Sequence, residues 1–472
     1  MERTWVNSAE RIGADLHLDL SGPGSRRAAL TRALREAVRA GRLAPGTRLP
    51  PYRSLAADLG LARNTVADAY AELVAEGWLT ARQGSGTRVA ERARPAKVRP
   101  AAPVLPKASL RLPHNLRQGQ PDAASFPRAA WLASARRALN AAPNEAFGPG
   151  DPRGRIELRR ALVDYLARAR GVRTDPGHIV ICSGFAHGLR LLLGGGVVRG
   201  PMAVESYGLA FHRSILDAAS VRPAALDLDE HGARTQDIPK GVHAALLTPA
   251  HQFPTGGPLD PDRRAAAIDW ARAGRGLILE DDYDGEFRYD RQPVGAVQGL
   301  DPDRVIYLGS VSKSLSPALR LGWMVLPGHL VDGVLAAKGL REAWASVLDQ
   351  LTLADFIDSG AYDRHVRRMR QHYRKRRDQL VAALAERAPH IHPTGIAAGL
   401  HAVLRLPPGT EQAACESALM HGVELDRLAA FRHPAATMPA HDGLVVGYAT
   451  PPDHAYTAAV DALCAALPPA PR

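Results

Sequence analysis

Two folding units of different class are predicted: a small helical one over residues 1–90 and a large α/β one over residues 114–472, the latter built on a largely parallel sheet. Three observations predict them. Helical patterns punctuated by glycine, then two short strand-like runs, fill residues 26–89. The stretch 91–113, ERARPAKVRPAAPVLPKASLRLP, holds five prolines, six basic residues and one acid, the composition of an extended, semi-rigid linker. Beyond it, strand-like and helix-like stretches alternate, as a parallel sheet requires.

A chain of 472 residues has room for two or three domains, and 46% apolar with 23% charged residues is an ordinary globular composition. No apolar run approaches membrane-spanning length, so no membrane partner is expected. The N-terminus lacks the basic-then-apolar pattern of a signal peptide, which makes a cytoplasmic location the expectation. Cys182, Cys415 and Cys464 are too few and too scattered for a disulfide framework or a zinc site, and no metal is expected. The net charge of +12 is uneven: residues 1–113 hold 19 Lys/Arg against 10 Asp/Glu, or +9 of it. An excess concentrated at one end points to a polyanionic partner for that end.

In the first unit, Leu30, Leu34 and Val38 recur four apart and put one apolar stripe on a helix that closes at Gly41. SLAADLG and LARNTVADAYAELVAEGW then form two helical patterns joined at Gly60, with Leu55, Leu59, Val66, Tyr70, Leu73 and Val74 inward. This is a helix-turn-helix. Arg63, Asn64 and Thr65 open its second helix, where side chains reach base edges in the major groove, and Arg48 and Arg53 are candidates to hold phosphates. LTARQGSGTRV reads as two strands around Gly84, Ser85, Gly86 and Thr87, a wing to lie along double-stranded DNA. The unit is thus predicted to be a winged helix-turn-helix. LPPYRSLAADLGLARNTVADAYAELVAEGWL with GSGTRV closely resembles the GntR family of bacterial regulators. Many members carry serine where Ala62 stands, and the missing N-cap hydroxyl is expected to weaken the recognition helix by ~1 kcal/mol.

In the second unit, IELRRALVDYLARARGV is an amphipathic helix through Leu158, Leu162, Tyr165 and Leu166. HIVICSGFAHGLRLLL passes from strand to helix at Ser183 and Gly184, an ordinary strand-to-helix turn that is also a natural seat for phosphate. In GLILEDDYDGEFRY, Leu277, Ile278 and Leu279 read as a buried strand from which Glu280, Asp281, Asp282 and Tyr283 emerge at the carboxyl end. TPAHQFPTGGPLD is a Pro/Gly turn after a strand. VIYLGSVSKSLSPALRLGWMVL, from Val305, sets Lys313 in a serine-rich loop between two buried strands. An amine there can be kept partly neutral and nucleophilic, the state that Schiff-base chemistry with an aldehyde requires. Arg320, seven residues on, is the candidate phosphate-pairing arginine. YDRHVRRMRQHYRKRRDQL reads as one long helix with Val366, Met369, Tyr373, Leu380 and Val381 inward and its arginines on a solvated outer face; a second DNA contact is the alternative.

SGFAHGLRLL, TPAHQFPTG, EDDYDGEFRY and SVSKSLSPALRLGW, in this order behind a GntR-type reader, resemble the MocR/GabR group of regulators, whose C-terminal domain is a fold-type I aminotransferase relative. That resemblance implies pyridoxal 5′-phosphate (PLP) held by Lys313 as a Schiff base. It implies Asp281 on the pyridine nitrogen, Tyr283 on the ring hydroxyl and Tyr207 stacked on the ring, with the phosphate held by Ser310, Arg320 and the backbone at Gly184 and Phe185. It further implies homodimers reading two half-sites of one operator.

The chain departs from the aminotransferase pattern at several positions. Phe253 stands where aminotransferases place the asparagine that touches the ring hydroxyl, leaving His251 and Gln252 as substitutes, and Pro149 replaces a phosphate-reaching tyrosine. Leu209 stands where one carboxylate-holding arginine is expected, GLVVGYA offers no second one, and Arg432 is a loose candidate. A chain without that clamp is a poor transaminase. The expected function is therefore a transcription regulator that senses PLP, or an amine or amino acid that forms an aldimine with it, with control of vitamin B6 synthesis favoured; an active aminotransferase fused to a DNA reader is the alternative.

Overall fold

A computed structural model of the chain describes residues 18–21, 24–82, 84–91, 112–289, 294–339 and 345–470. The N-terminal stretch without a signal pattern and nearly all of the Pro/Arg-rich linker, residues 92–111, lie outside the described residues. The chain divides into two units, Met1–Ser109 and Leu110–Arg472.

In the first unit, Ser25 caps α1 (Arg26–Arg39) by accepting a hydrogen bond from the Ala28 amide at 3.3 Å. Its stripe of Leu30, Leu34 and Val38 is fully buried. Helices α2 (Tyr52–Asp58) and α3 (Arg63–Ala75) follow, and Gly60 at φ +63° makes the sharp turn between them. Leu55, Val66, Tyr70 and Leu73 close this core, while Leu59 and Val74 pack on its margin. The Tyr70 hydroxyl donates to the Pro50 carbonyl at 3.0 Å, tying α3 to the turn before α2. Strands β1 (Leu79–Arg82) and β2 (Gly86–Val89) pair antiparallel, and the Leu49 amide donates to the Thr87 carbonyl, so the segment before α2 is stitched to the wing.

The second unit holds seven strands in one sheet: β3 (Ile179–Cys182), β4 (Met202–Glu205), β5 (Pro223–Leu226), β6 (Ala244–Leu247), β7 (Leu277–Asp281), β8 (Val305–Ser310) and β9 (Gly322–Val325), in the order β3-β9-β8-β7-β6-β4-β5. Only β9 runs against its neighbours. Helices α4 (Arg128–Ala141), α5 (Ile156–Arg170), α6 (Phe185–Gly194), α7 (Ala210–Ala218), α8 (Pro261–Gly274), α9 (Val331–Lys338) and α10 (Val347–Asp358) accompany the sheet. Successive residues of β3 enter opposite cores, Ile179 and Ile181 one and Val180 and Cys182 the other. Burial on both faces is why these strands read as unbroken apolar runs.

The C-terminal part has its own core. Helix α11 (Ala361–Arg387) packs with α12 (Glu411–Met420) and α13 (Asp453–Ala466) around a four-stranded antiparallel sheet of β10 (Pro393–Thr394), β11 (His401–Arg405), β12 (Asp426–Arg427) and β13 (Gly443–Gly447). Val366, Met369, Tyr373 and Leu380 of α11 are buried, Val381 is half-buried, and most of its basic residues are exposed. Arg376 departs from the expected outer face. It is buried, donating to the Ala449 carbonyl at 2.9 Å and lying 2.8 Å from Asp453 and 3.4 Å from Asp122. Among the described residues no helix is long and apolar enough to cross a membrane.

Candidate functional site

The carboxyl ends of the parallel strands open onto one cavity of about 310 Å³. Gly184, Phe185, Tyr207, Asp281, Tyr283, Ser310, Lys313 and Arg320, which lie up to 136 positions apart in the chain, all line it. Because β9 is reversed, its first residues and the last residues of β8 sit at the same rim, and the loop between them delivers both Lys313 and Arg320. The Lys313 ammonium donates to the Gly119 carbonyl. Burial pushes its pKa below the ordinary lysine range, while the Asp284 and Asp281 carboxylates pull the other way.

The acids behave differently from an exposed cluster. Strand β7 runs on through Asp281, and Glu280, Asp281, Asp282 and Asp284 are all buried. Glu280 accepts from the Val297 and Gln298 amides at 2.9 Å, and Asp282 is locked to Arg170 at 2.6 Å, so both are structural. Asp281 alone of these four faces the cavity. Its carboxyl, which no described residue hydrogen-bonds, is held well above the usual carboxylate range by burial and by the Asp282 charge, with Lys313 opposing. An acid in that state is matched to a cationic N–H donor. Tyr283 is anchored from behind, with its hydroxyl 3.0 Å from His251 Nδ1, which in turn lies 2.8 Å from Asp284.

At the opposite end of the cavity α6 begins. Its N-cap is Gly184 at φ +93°, which offers no side chain to the first free amides and would be strained as any other residue. The exposed Arg320 guanidinium donates to the Ser183 carbonyl beside it, and Ser310 completes this end. Free helix amides, a hydroxyl and a guanidinium form a set suited to a phosphate.

Neither proposed substitute for the asparagine lines the cavity. Gln252 is consumed by Phe253 and Thr255 of its own turn and by Glu205 and the Tyr207 carbonyl from the end of β4, and His251 reaches the site through Tyr283. Arg432 turns its Nη2 to the Ala436 and Met438 carbonyls and does not line the cavity either. The sequence alone did not single out three ionisable residues that line it, Glu205, His212 and Arg213. The signal was present, since Leu209, His212, Arg213 and Leu216 recur at i, i+3, i+4 and i+7, one face of α7. Burial, then the Lys313 and Arg213 charges, pushes His212 down to about 3 and keeps it neutral.

On the first unit, Arg63 and Asn64 are exposed and Thr65 half-buried in the first turn of α3. Ala62 is its N-cap and supplies no side-chain hydrogen bond. Arg48 and Arg53 are exposed; the Arg48 guanidinium lies against Gly86 of the wing, so close that a Cβ there would stand 3.3 Å from Nε. Gly84 and Ser85 form the exposed wing turn, and Thr87 is half-buried in β2. These residues form two basic-edged surfaces joined by the Leu49–Thr87 hydrogen bond.

A family model described as bacterial regulatory proteins of the gntR family matches residues 27–89, and one described as aminotransferase class I and II matches residues 114–439. The chain is 35% identical over 402 residues to the HTH-type transcriptional regulator YhdI of Bacillus subtilis, covering 81% of this chain and 84% of that one. It is 33% identical over 398 residues to the HTH-type pyridoxine biosynthesis transcriptional regulator PdxR of Corynebacterium glutamicum, covering 83% and 86%. Among solved structures, a kynurenine aminotransferase of Pyrococcus horikoshii shares the fold of the second unit at a TM-score of 0.67 and 24% identity, covering 75% of this chain and 90% of that one.

Proposed function

This chain belongs to the MocR/GabR group of GntR-type helix-turn-helix transcription regulators, with an aminotransferase class I and II domain behind the reader, and on that premise we propose that its second unit binds PLP and thereby sets the affinity of the reader for a double-stranded DNA operator. The observation that carries this reading is the meeting of Lys313, Asp281, Tyr283 and Arg320 on one cavity. When bound, PLP supplies an aldehyde and an electron-withdrawing ring.

The chain's own residues divide the work. Lys313, made less basic by burial, offers its amine to the aldehyde. Asp281 accepts the N–H of the ring nitrogen and so gains the partner it lacks. Tyr283, steadied by His251 and Asp284, meets the ring hydroxyl, and Tyr207 covers the ring face. The amides at Gly184 and Phe185, the Ser310 hydroxyl and the Arg320 guanidinium take the phosphate.

Arg63, Asn64 and Thr65 read base edges while Arg48, Arg53 and the wing hold phosphates. A ligand moves the reader only if it binds two arrangements of the protein with different affinity. Exposed Leu132 and Leu139 on α4, Phe147 after it and Leu348 on α10 support a homodimer that presents two readers to two half-sites. The PdxR relative supports vitamin B6 synthesis as the process controlled, and a DNA target agrees with work in the cytoplasm.

The test is DNA binding to the chain's own upstream region, with and without PLP, in wild type and Lys313→Ala at fixed salt. Wild type is expected to change affinity by ~5- to 150-fold on PLP addition, and Lys313→Ala to lose both that response and the visible absorption of the bound cofactor. If neither cofactor nor mutation alters affinity, the reading fails.

A further inference from the structure

Lys313 is tied at both ends to one helix. Its neighbour Ser314 is buried, and α11 grips it twice: the Tyr362 hydroxyl hydrogen-bonds the Ser314 hydroxyl at 2.7 Å, and His365 Nε2 lies 2.8 Å from the Ser314 carbonyl. The Arg368 guanidinium, 3.0 Å from His365 Nδ1, can only donate, so Nδ1 accepts and Nε2 carries the hydrogen that the Ser314 carbonyl receives. Burial holds His365 down to about 4, against the hydrogen bond to Ser314, and keeps the ring in the neutral form that this arrangement needs.

The other end of the lysine meets the same helix by a longer route. Its ammonium donates to the Gly119 carbonyl, and Asp122, three residues further on, donates its amide to the Tyr373 hydroxyl at 3.2 Å and lies 3.4 Å from Arg376. Tyr362, His365, Tyr373 and Arg376 recur at i, i+3, i+11 and i+14, one buried face of α11. Tyr362 is packed in a core of the large sheet and Tyr373 in the C-terminal core, so the groups that reach toward Lys313 are anchored in both. Core positions are usually apolar, and the two polar groups at the start of this face both end on the residue beside the lysine.

An amine adds to an aldehyde only from a narrow range of positions. From these contacts we propose that Tyr362 and His365 are positioning residues for Lys313. By fixing Ser314 they present the neutral amine to the aldehyde of PLP; a C=N bond forms to the aldehyde carbon, and both amine hydrogens leave with the aldehyde oxygen as water. This rests on the cavity holding PLP, and it gives α11 a part in cofactor uptake although, among the described residues, none of α11 lines the cavity.

The full chain, stripped of cofactor, is mixed with PLP and uptake is followed by visible absorption. In parallel it is titrated by calorimetry with pyridoxamine 5′-phosphate, which has the same ring and phosphate but an amine in place of the aldehyde and so cannot bond to Lys313. Wild type is compared with Tyr362→Phe, His365→Leu and His365→Gln. Tyr362→Phe and His365→Leu are each expected to slow PLP uptake by ~10- to 100-fold, the cost of misplacing a reacting group by ~1 Å, while binding of pyridoxamine 5′-phosphate stays as in wild type. His365→Gln, whose side-chain amide can donate to the same carbonyl, is expected to regain most of the rate. Tyr362→Phe keeps the buried ring and carries the test should His365→Leu not fold. PLP uptake at the wild-type rate in either variant, an equal loss for the two cofactor forms, or a His365→Gln no faster than His365→Leu overturns this inference alone. A wild type that takes up no PLP overturns it together with the function on which it rests.

Discussion

Arg170 and Asp282 form a buried ion pair, Nε to Oδ2 at 2.6 Å and Nη2 to Oδ1 at 3.0 Å, directly behind the strand end that carries Asp281. The Tyr307 hydroxyl donates to the same carboxylate at 2.7 Å, and the Val294 carbonyl accepts from Arg170 at 2.9 Å, so both charges have hydrogen-bonding company. Removing one partner leaves the other charge stranded in the core. Arg170→Met is therefore expected to cost about 3–5 kcal/mol of stability. The double variant Arg170→Met with Asp282→Leu, which strands neither, is expected to be more stable than Arg170→Met alone. Denaturant unfolding of the three proteins measures this, and equal losses in single and double variants would contradict it.

Glu205 gives the cofactor-free protein a pH dependence. Burial pushes its pKa up to about 7 from 4.5, against hydrogen bonds from Thr248 and Gln252 that favour the carboxylate. A folded-state pKa above the unfolded one means that folding takes up a proton, so this contribution is full below pH 4.5 and is lost as pH rises through about 7. Tm is expected to fall across that window, and Glu205→Gln, which has no proton to lose, to flatten part of the slope. Glu280 and Glu286, also raised to about 7, retain the remainder. A Glu205→Gln slope as steep as wild type would remove Glu205 from the account.

The reader offers a separation of stability from recognition. With Ala62 at the N-cap in extended backbone, φ −67° and ψ 142°, the first amides of α3 lack a side-chain acceptor. Ala62→Ser is expected to add about 0.5–2 kcal/mol and to leave the preferred DNA sequence unchanged. Arg63→Ala is expected to leave Tm near wild type and to cost about 1–3 kcal/mol of specific binding, with relaxed preference at one base position. Binding-site selection beside thermal unfolding distinguishes the two; a serine that changes the selected sequence would place residue 62 in the interface.

What could be read in the sequence was what local chemistry marks. Gly41 and Gly60 punctuate the reader, the apolar stripe of Leu30, Leu34 and Val38 fixes the inward face of α1, and Lys313 and Asp281 are conspicuous because each interrupts or ends a run of buried strand residues. What escaped depends on partners distant in the chain. Arg170 and Asp282 lie 112 positions apart, and nothing near either one announces the other. Arg376 sits within a run of arginines that looks like a solvated face, and the Ala449 carbonyl, Asp453 and Asp122, all more than 70 positions away, draw it inward. Arg213 and His212 were hidden for another reason. On a nine-residue helix Leu209 at the N-cap and Leu216 are the marks of that face, a pattern too short to set two inward polar residues apart from two outward ones until the cavity is seen.

The reversed strand β9 has a consequence for size. Lys313 and Arg320 ride on one hairpin whose two ends are clamped, Ser310 opposite Gly322, at a single rim of the sheet. The hairpin is therefore a ruler. Its length, together with the Gly119 and Ser183 carbonyls that hold the two groups, sets the span between amine and guanidinium, so inserting or deleting one residue between them would change the length of molecule that can bridge both while leaving the pairing of β8 with β9 in place.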